Sequence, residues 1–417
     1  MNGRVLTVWI VVLALVRSGA WGDELIDPAH SELVRQLGAP EFSKRQAAEQ
    51  KLLRVGAPAK AALRAGRRDE DMEIRLASQR ILICLAQRES DELTESFLDG
   101  DNSVSLDRFP GWPRLRDRLG DRREVRRLYI RMFRAELELL QSLERNDPEL
   151  LDNWRTQLQT QESLATPEAH GGMGMPSGSS LCALLFVGVE IADESQDAYW
   201  ESLQMLSQFL LTRLDDQQMA RLGMHEPLIR QLLASWADAL GQVKNRGQIM
   251  HGLLIALKFE LPELGCRLAR SALQEGHEHP NAKPYAAITL GRFGTVEDAQ
   301  FLIPHLQDTR VFHTWSNPQL QKDPILIQVR DVMLAMLLRM RGRDPATCGF
   351  ELLEPSPETL YHIWTFGFLQ ESQRVAAFEK WQPVAEGKAS TEEKPAASPA
   401  ASPGASSAQS PNNGQRP

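Results

Sequence analysis

No Cys-x-x-Cys pair occurs anywhere in the 417 residues, which leaves no basis for a zinc ribbon or a thioredoxin-type redox site. Cysteine itself is scarce. Of the four present (Cys84, Cys182, Cys266 and Cys348), the first three sit in "RILICLA", "SLCALLF" and "ELGCRLA", apolar contexts of helical type. An even number in an exported chain permits disulfides, but thiols in such surroundings behave as small hydrophobes, so free cysteines are expected. Cationic surplus is lacking too. The formal net charge is −8, and a nucleic-acid binder needs a cationic surface to release counterions. The basic clusters "GDRREVRR" (120–127) and "KRQ" (44–46) lie among acids and read as solvated helix faces.

Long apolar runs are missing as well. The longest at the N-terminus, Val5 to Val16, is about a dozen residues, short of the ~17–25 that span a bilayer. With Arg4 before it and small residues after it, Met1–Gly22 reads as a signal peptide, cleaved after Ser18-Gly19-Ala20 or Ala20-Trp21-Gly22. An uncleaved anchor is the alternative. Loss of Arg4 and Arg17 takes the charge from −8 to −10. The mature chain is therefore expected to be periplasmic or extracellular, without a stable membrane span. At the other end, residues 384–417 are rich in Pro, Ala and Ser, with almost nothing to bury, and are expected to be disordered.

What the chain has in quantity is amphipathic helix. Ile74, Ala77, Ile81 and Leu85 recur at three and four, as do Tyr199, Leu203, Leu206 and Leu210, and Ile229, Leu232, Trp236 and Leu240. In "DPILIQVRDVMLAMLLRM" the stripe Ile325, Val329, Val332 and Met336 is joined by Leu326, Met333 and Leu337, so a central helix is expected there. Strand-like alternation is rare. The one strand candidate, "CALLFVGVEIA" (182–192), is long and rich in Ala and Leu, which favours helix. "EFSKRQAAEQKLL" (41–53) aligns with "DMEIRLASQRILI" (71–83) thirty residues later: Glu41…Arg45 matches Asp71…Arg75, Ala47 matches Ala77, and Leu52 matches Leu82. Such a unit cannot bury its apolar face alone and must stack on a neighbour.

These segments, "LGAPEFSKRQAAEQKLLRVGAPAKAALRAG…DMEIRLASQRIL", resemble HEAT-like repeats. "AKPYAAITLGRFGTVEDAQFLIPHLQDTRVF…IQVRDVMLAMLLRMRGRDP" resembles a further unit, with Arg330 in the place of Arg75 but Leu326 where the acid would stand. The mature chain as a whole is similar to a family of secreted bacterial HEAT-like proteins. The resemblance implies an all-α fold, an α-solenoid of helical hairpins used as a scaffold, and it brings no catalytic residues or cofactor with it. Arg45, Arg75 and Arg330 are expected at the start of a second helical turn, paired with carboxylates of their own or the next repeat. The expected organisation is a helical region at 23–165, a Gly/Ser-rich hinge at 166–180, and a second helical region at 181–383.

The candidate sites are incomplete. "EAHGGMGMPSGSS" (168–180) has no lysine for a phosphate loop, and within its "GMGMPSG" (172–178) the third glycine, Gly178, is one place late for a dinucleotide fingerprint. No Gly-x-Ser-x-Gly nucleophile elbow exists to pair with its "HGG". It reads as a linker, with Ser177 or Ser179 capping the next helix; a pocket near this loop and His170 is the enzyme or small-ligand-receptor alternative. "LDGDNSVSLDRF" (98–109) lacks the glycine and glutamate of a calcium loop. His277 and His279 need a third metal ligand, which His305 or His313 would supply only by folding back. Trp112, in "FPGWPR", reads as a packing wedge. Long insertions in helical stacks are common binding loops, so Phe312, His313 and Trp315 within 308–324 are the candidate surface for a protein partner. A non-catalytic scaffold follows as the expectation.

Overall fold

The computed structural model describes residues 27–101, 103–165, 176–194, 200–242, 248–274, 281–316 and 323–381. The signal segment, residues 166–175 of the glycine loop, His277, His279 and the 384–417 tail lie outside them. The described chain is all-α apart from two small hairpins. Among the described residues, no helix is long and apolar enough to cross a membrane.

The N-terminal helices follow from caps and stripes. α1 (Pro28–Arg35) opens with proline at its first position, where no N–H is needed, and the Asp27 carboxylate accepts from Ala29 N at 2.8 Å. α2 (Phe42–Val55) stops at Gly56, whose φ of 74° suits a residue without Cβ. After the short α3 (Lys60–Gly66) comes α4 (Met72–Asp99), 28 residues capped by Asp71 and ended by Gly100 at φ 78°. The stripe Ile74, Ala77, Ile81 and Leu85 is buried against α2 and α3, as its spacing requires. Cys84 lies off that stripe and is exposed, which corrects its reading as a buried thiol; Cys182, Cys266 and Cys348 are buried, and all four are free.

α5 (Trp112–Leu119), α6 (Arg123–Ala135), α7 (Leu137–Glu144) and α8 (Leu150–Ala165) surround α9 (Gly178–Glu194). Ser180 through Ile191 are all buried, so the 182–192 segment is a helix enclosed on every side rather than a strand. Ser177 caps it: its Oγ accepts from Ser180 N at 3.3 Å, and its own N donates to Gln161 Oε1 at 2.8 Å. Trp112 is fully buried among Phe97, Phe109 and Tyr129, the packing wedge its context implied. Downstream run α10 (Trp200–Thr212), α11 (Asp216–Arg221), α12 (Pro227–Gln242), α13 (Gln248–Lys258), α14 (Pro262–Gln274), α15 (Ala282–Phe293), α16 (Val329–Met340) and α17 (Glu371–Trp381). From α12 to α16 each helix packs on the next, and α12 also meets α14, as α13 meets α15.

One expected helix is shorter than its pattern. Ile325–Gln328 form strand β2, paired antiparallel with β1 (Val311–Trp315), and α16 begins only at Val329. Positions 325 and 329 are four apart, which satisfies both a helical and a two-residue period. The choice is made by burial: Ile325 and Ile327 are buried while Leu326 is exposed, a strand alternation. Gln328 N donates to Asp331 Oδ2 at 2.8 Å, closing a capping box that starts the helix there. A second hairpin joins β3 (Pro355–Ser356) to β4 (Leu360–Tyr361).

Apolar packing forms two clusters. One holds Val34 to Leu85 from α1–α4; the other runs from Phe97 to Trp381 and includes residues on both sides of 166–175. α4 belongs to both, about 42 Å long at 1.5 Å per residue, with charged Arg88, Glu89, Asp91 and Glu92 between its two apolar ends. Leu52→Ala, which opens the smaller cluster, should cost about 2–5 kcal/mol. Hydrogen exchange should accelerate within 28–85 and stay unchanged in α12–α16; acceleration spread evenly over the chain would contradict two separable cores.

Candidate interaction groove

A concave surface on the smaller cluster lies between α2 and α4. It is a groove of about 540 Å³ with Leu37, Leu53 and Ala77 at its floor. Its walls carry Phe42 and Leu76, which are 68% and 53% exposed, and Met72 stands beside them at 63%. Single exposed apolar side chains are ordinary, but two large ones on the walls of one concavity, with a third a turn away, are the composition of a contact surface. Two ion pairs cross the groove: Arg45 Nε to Glu73 Oε2 at 3.2 Å, and Arg80 Nη2 to Glu49 Oε2 at 3.4 Å. The pairs ascend both helices in the same order, so α2 and α4 run parallel.

Two of the three repeat arginines work in a way their spacing did not foretell. Arg45 Nη1 donates to the carbonyls of Ala39 and Pro40 at 2.7 and 3.0 Å, six and five residues back. Arg75 Nη1 donates to those of Asp69 and Glu70 at 2.8 and 2.6 Å, at the same two offsets. Each guanidinium therefore clamps the turn that enters its own helix. Pairing with carboxylates of their own or the neighbouring repeat was the expectation, and of the two clamping arginines Arg45 also pairs with the neighbouring repeat, through Glu73. The acids four residues earlier serve elsewhere: Asp71 caps α4 through Glu73 N at 2.7 Å.

Arg330 is not equivalent. It lies in the first turn of α16, not the second, because Ile325–Gln328 are strand; its Nε donates to Gln328 Oε1 at 2.6 Å and its Nη2 meets Glu371 at 3.1 Å. Beside it lies a pair that sequence reasoning missed. Asp331, fully buried, is held by Arg374 Nε at 2.9 Å and Nη2 at 3.2 Å, and Arg374 also donates to Leu326 O at 2.9 Å and pairs with Glu371. Burial pushes the Asp331 carboxyl up to about 6 against the pull of Arg374.

Phe312, His313 and Trp315, expected on a loop, fall on β1. Phe312 is a bulge residue that meets Tyr285 edge-on at 5.7 Å, and Trp315 is half-buried with its indole N–H lacking an acceptor among the described residues. Both pack against the larger core, which leaves His313 as the exposed member of the three. His305 is held by Leu273 O at 3.1 Å from Nε2 and by Lys283 Nζ at 3.3 Å from Nδ1; burial, then the Lys283 charge, pull its pKa down. Among the described residues, no group of three His, Cys, Asp or Glu side chains is placed to hold a metal.

Near the start of α9, a cavity of about 330 Å³ is lined by Arg131, Ser179, Cys182 and Glu226. Burial raises the Cys182 thiol to about 12, which keeps it protonated and non-nucleophilic, and Arg131 is engaged with Glu226 at 3.1 Å. Glu136, also buried, is raised by desolvation and accepts from Ser180. Gly171, Gly172, Gly174 and His170 lie outside the described residues, whereas Gly178 opens α9 and lines the cavity. In the 98–109 loop Asp101 accepts from Ser103 N at 2.9 Å, a turn contact that lowers its pKa.

The apolar residues of the groove were available to the repeat alignment. Phe42 and Met72 occupy the same place thirty residues apart, immediately after the acids Glu41 and Asp71. No protein-family model, no curated protein and no solved structure matches this chain.

The buried pair gives a direct test. Asp331→Asn leaves buried Arg374 with only the exposed Glu371 as counter-charge and should cost about 3–5 kcal/mol in chemical denaturation, whereas Asp331→Leu with Arg374→Met should recover most of that. A loss below about 1 kcal/mol in the single variant would mean that the pair is not desolvated as described.

Proposed function

We propose that this chain is a non-catalytic, exported scaffold, an α-solenoid of HEAT-like hairpins that binds another protein through the groove between α2 and α4. The observation that carries the reading is the placement of Phe42 and Leu76 in solvent on the walls of one concavity, with exposed Met72 one turn before Leu76 on α4. Burying an apolar surface in a partner is the ordinary reason for leaving one uncovered. The helix-on-helix packing from α12 to α16, in which each element meets its neighbour and its next neighbour, is what stacked hairpins produce and supports the solenoid. Export follows from the composition of Met1–Gly22, and the acidic net charge favours protein over nucleic acid as partner.

A photo-activatable cross-linker placed at position 42 or 76 and irradiated in intact cells should trap a discrete polypeptide, identifiable by mass spectrometry. The same group at Arg127, exposed on α6, should trap none above background. Equal, diffuse labelling at all three positions would refute the groove as the binding surface.

A further inference from the structure

Resting on that reading of the groove, the charge pattern of its walls narrows the occupant. Arg45 and Glu49 ascend α2 while Glu73 and Arg80 ascend the parallel α4, with each cation facing an anion across the groove. The signs alternate at four corners and sum to zero. Such a face selects neither an acidic nor a basic peptide. It is, however, its own complement. Turn a copy through a half-rotation about an axis running along the groove, and its Arg45 comes over Glu73 of the first chain, its Glu49 over Arg80, and the reverse. The same rotation carries Phe42, near the start of α2, onto the region of Met72 and Leu76 on α4. The three side chains that water now touches would then cover one another.

We propose that the groove is occupied by a second copy of this chain, in a two-fold dimer in which α2 of each protomer lies along α4 of its partner. The interface is isologous, as closed two-fold contacts are. Its apolar centre is Phe42 against Met72 and Leu76. Around that centre, the two intramolecular ion pairs of each chain become alternating networks that fix register and orientation. With only three exposed apolar side chains per protomer at its centre, the contact belongs with weak, transient interfaces, and self-association is expected at ~1–100 μM.

The test is sedimentation equilibrium on the full chain with paired charge variants. R45E/R80E makes the groove wholly acidic, and E49K/E73K makes it wholly basic. Wild type should be dimeric at ~100 μM, each variant alone monomeric, and an equimolar mixture dimeric again, because only opposite grooves then match. Arg45 also clamps the entry to α2, so circular dichroism must show the variants folded. Should R45E/R80E fail to fold, F42E/L76E, which leaves the clamp intact, should raise the dissociation constant at least ~30-fold. A monomeric wild type, variants that still dimerise alone, a mixture that stays monomeric, or an unaffected F42E/L76E would each overturn the proposal. A monomeric wild type whose residue-42 cross-linker traps a different polypeptide would sink the self-association and leave the scaffold reading standing; trapping nothing would sink both.

Discussion

The position of the groove depends on one interaction made twice, a guanidinium reaching back to the carbonyls of the turn that precedes its own helix. Arg45 ties down Ala39 and Pro40, and Arg75 ties down Asp69 and Glu70, with the same offsets and nearly the same distances. Carbonyls at the entry to a helix have no intrahelical partner of their own, and a charged donor satisfies two of them at once. The clamp fixes the angle at which each chain segment becomes helix. Because it is repeated, α2 and α4 begin in the same way, and the residue at the first helical position, Phe42 in one and Met72 in the other, stands outward on both. Arg45 then reaches on to Glu73 and holds the two helices at groove width. Outward placement of the apolar side chains is thus a consequence of backbone anchoring, not of a gap in the core.

The two apolar clusters sharpen the contrast between this region and the rest. The larger one encloses α9 on all sides and is closed at its far end by Asp331 and Arg374, whose mutual pairing leaves both charges satisfied away from water. The smaller one is built from four helices, two of them short, and has few buried residues to spare. α4 joins them as one continuous rod with a charged middle, so the groove is presented at the end of a helix whose far end is anchored by Phe97 in the larger core.

Periodicity made much of this legible. The α4 stripe, the α12 stripe, the enclosed α9 and the Ser177 cap all follow from local spacing, because burial on one helical face is written at intervals of three and four. The thirty-residue repeat was legible too, and so was the pairing of Phe42 with Met72 within it, but a repeat alignment fixes register and does not say which positions face solvent. Three features were hidden for physical reasons. Ile325 fits a helix and a strand equally well, and the alternating burial that comes with pairing to β1 decides. Cys84 shares its neighbours' composition but not their face. Asp331 and Arg374 are 43 residues apart, and a pairing at that distance is a property of the folded chain that no local pattern records.

The central claim is that Phe42, Met72 and Leu76 are exposed in the isolated chain and covered where the protein works. Hydroxyl-radical footprinting reads this directly, since all three side chains oxidise when water reaches them. In dilute purified protein they should be modified readily, and in intact cells they should be protected, while exposed residues away from the groove, such as Trp364, react alike in both. Equal modification of Phe42, Met72 and Leu76 in the two states would contradict the account.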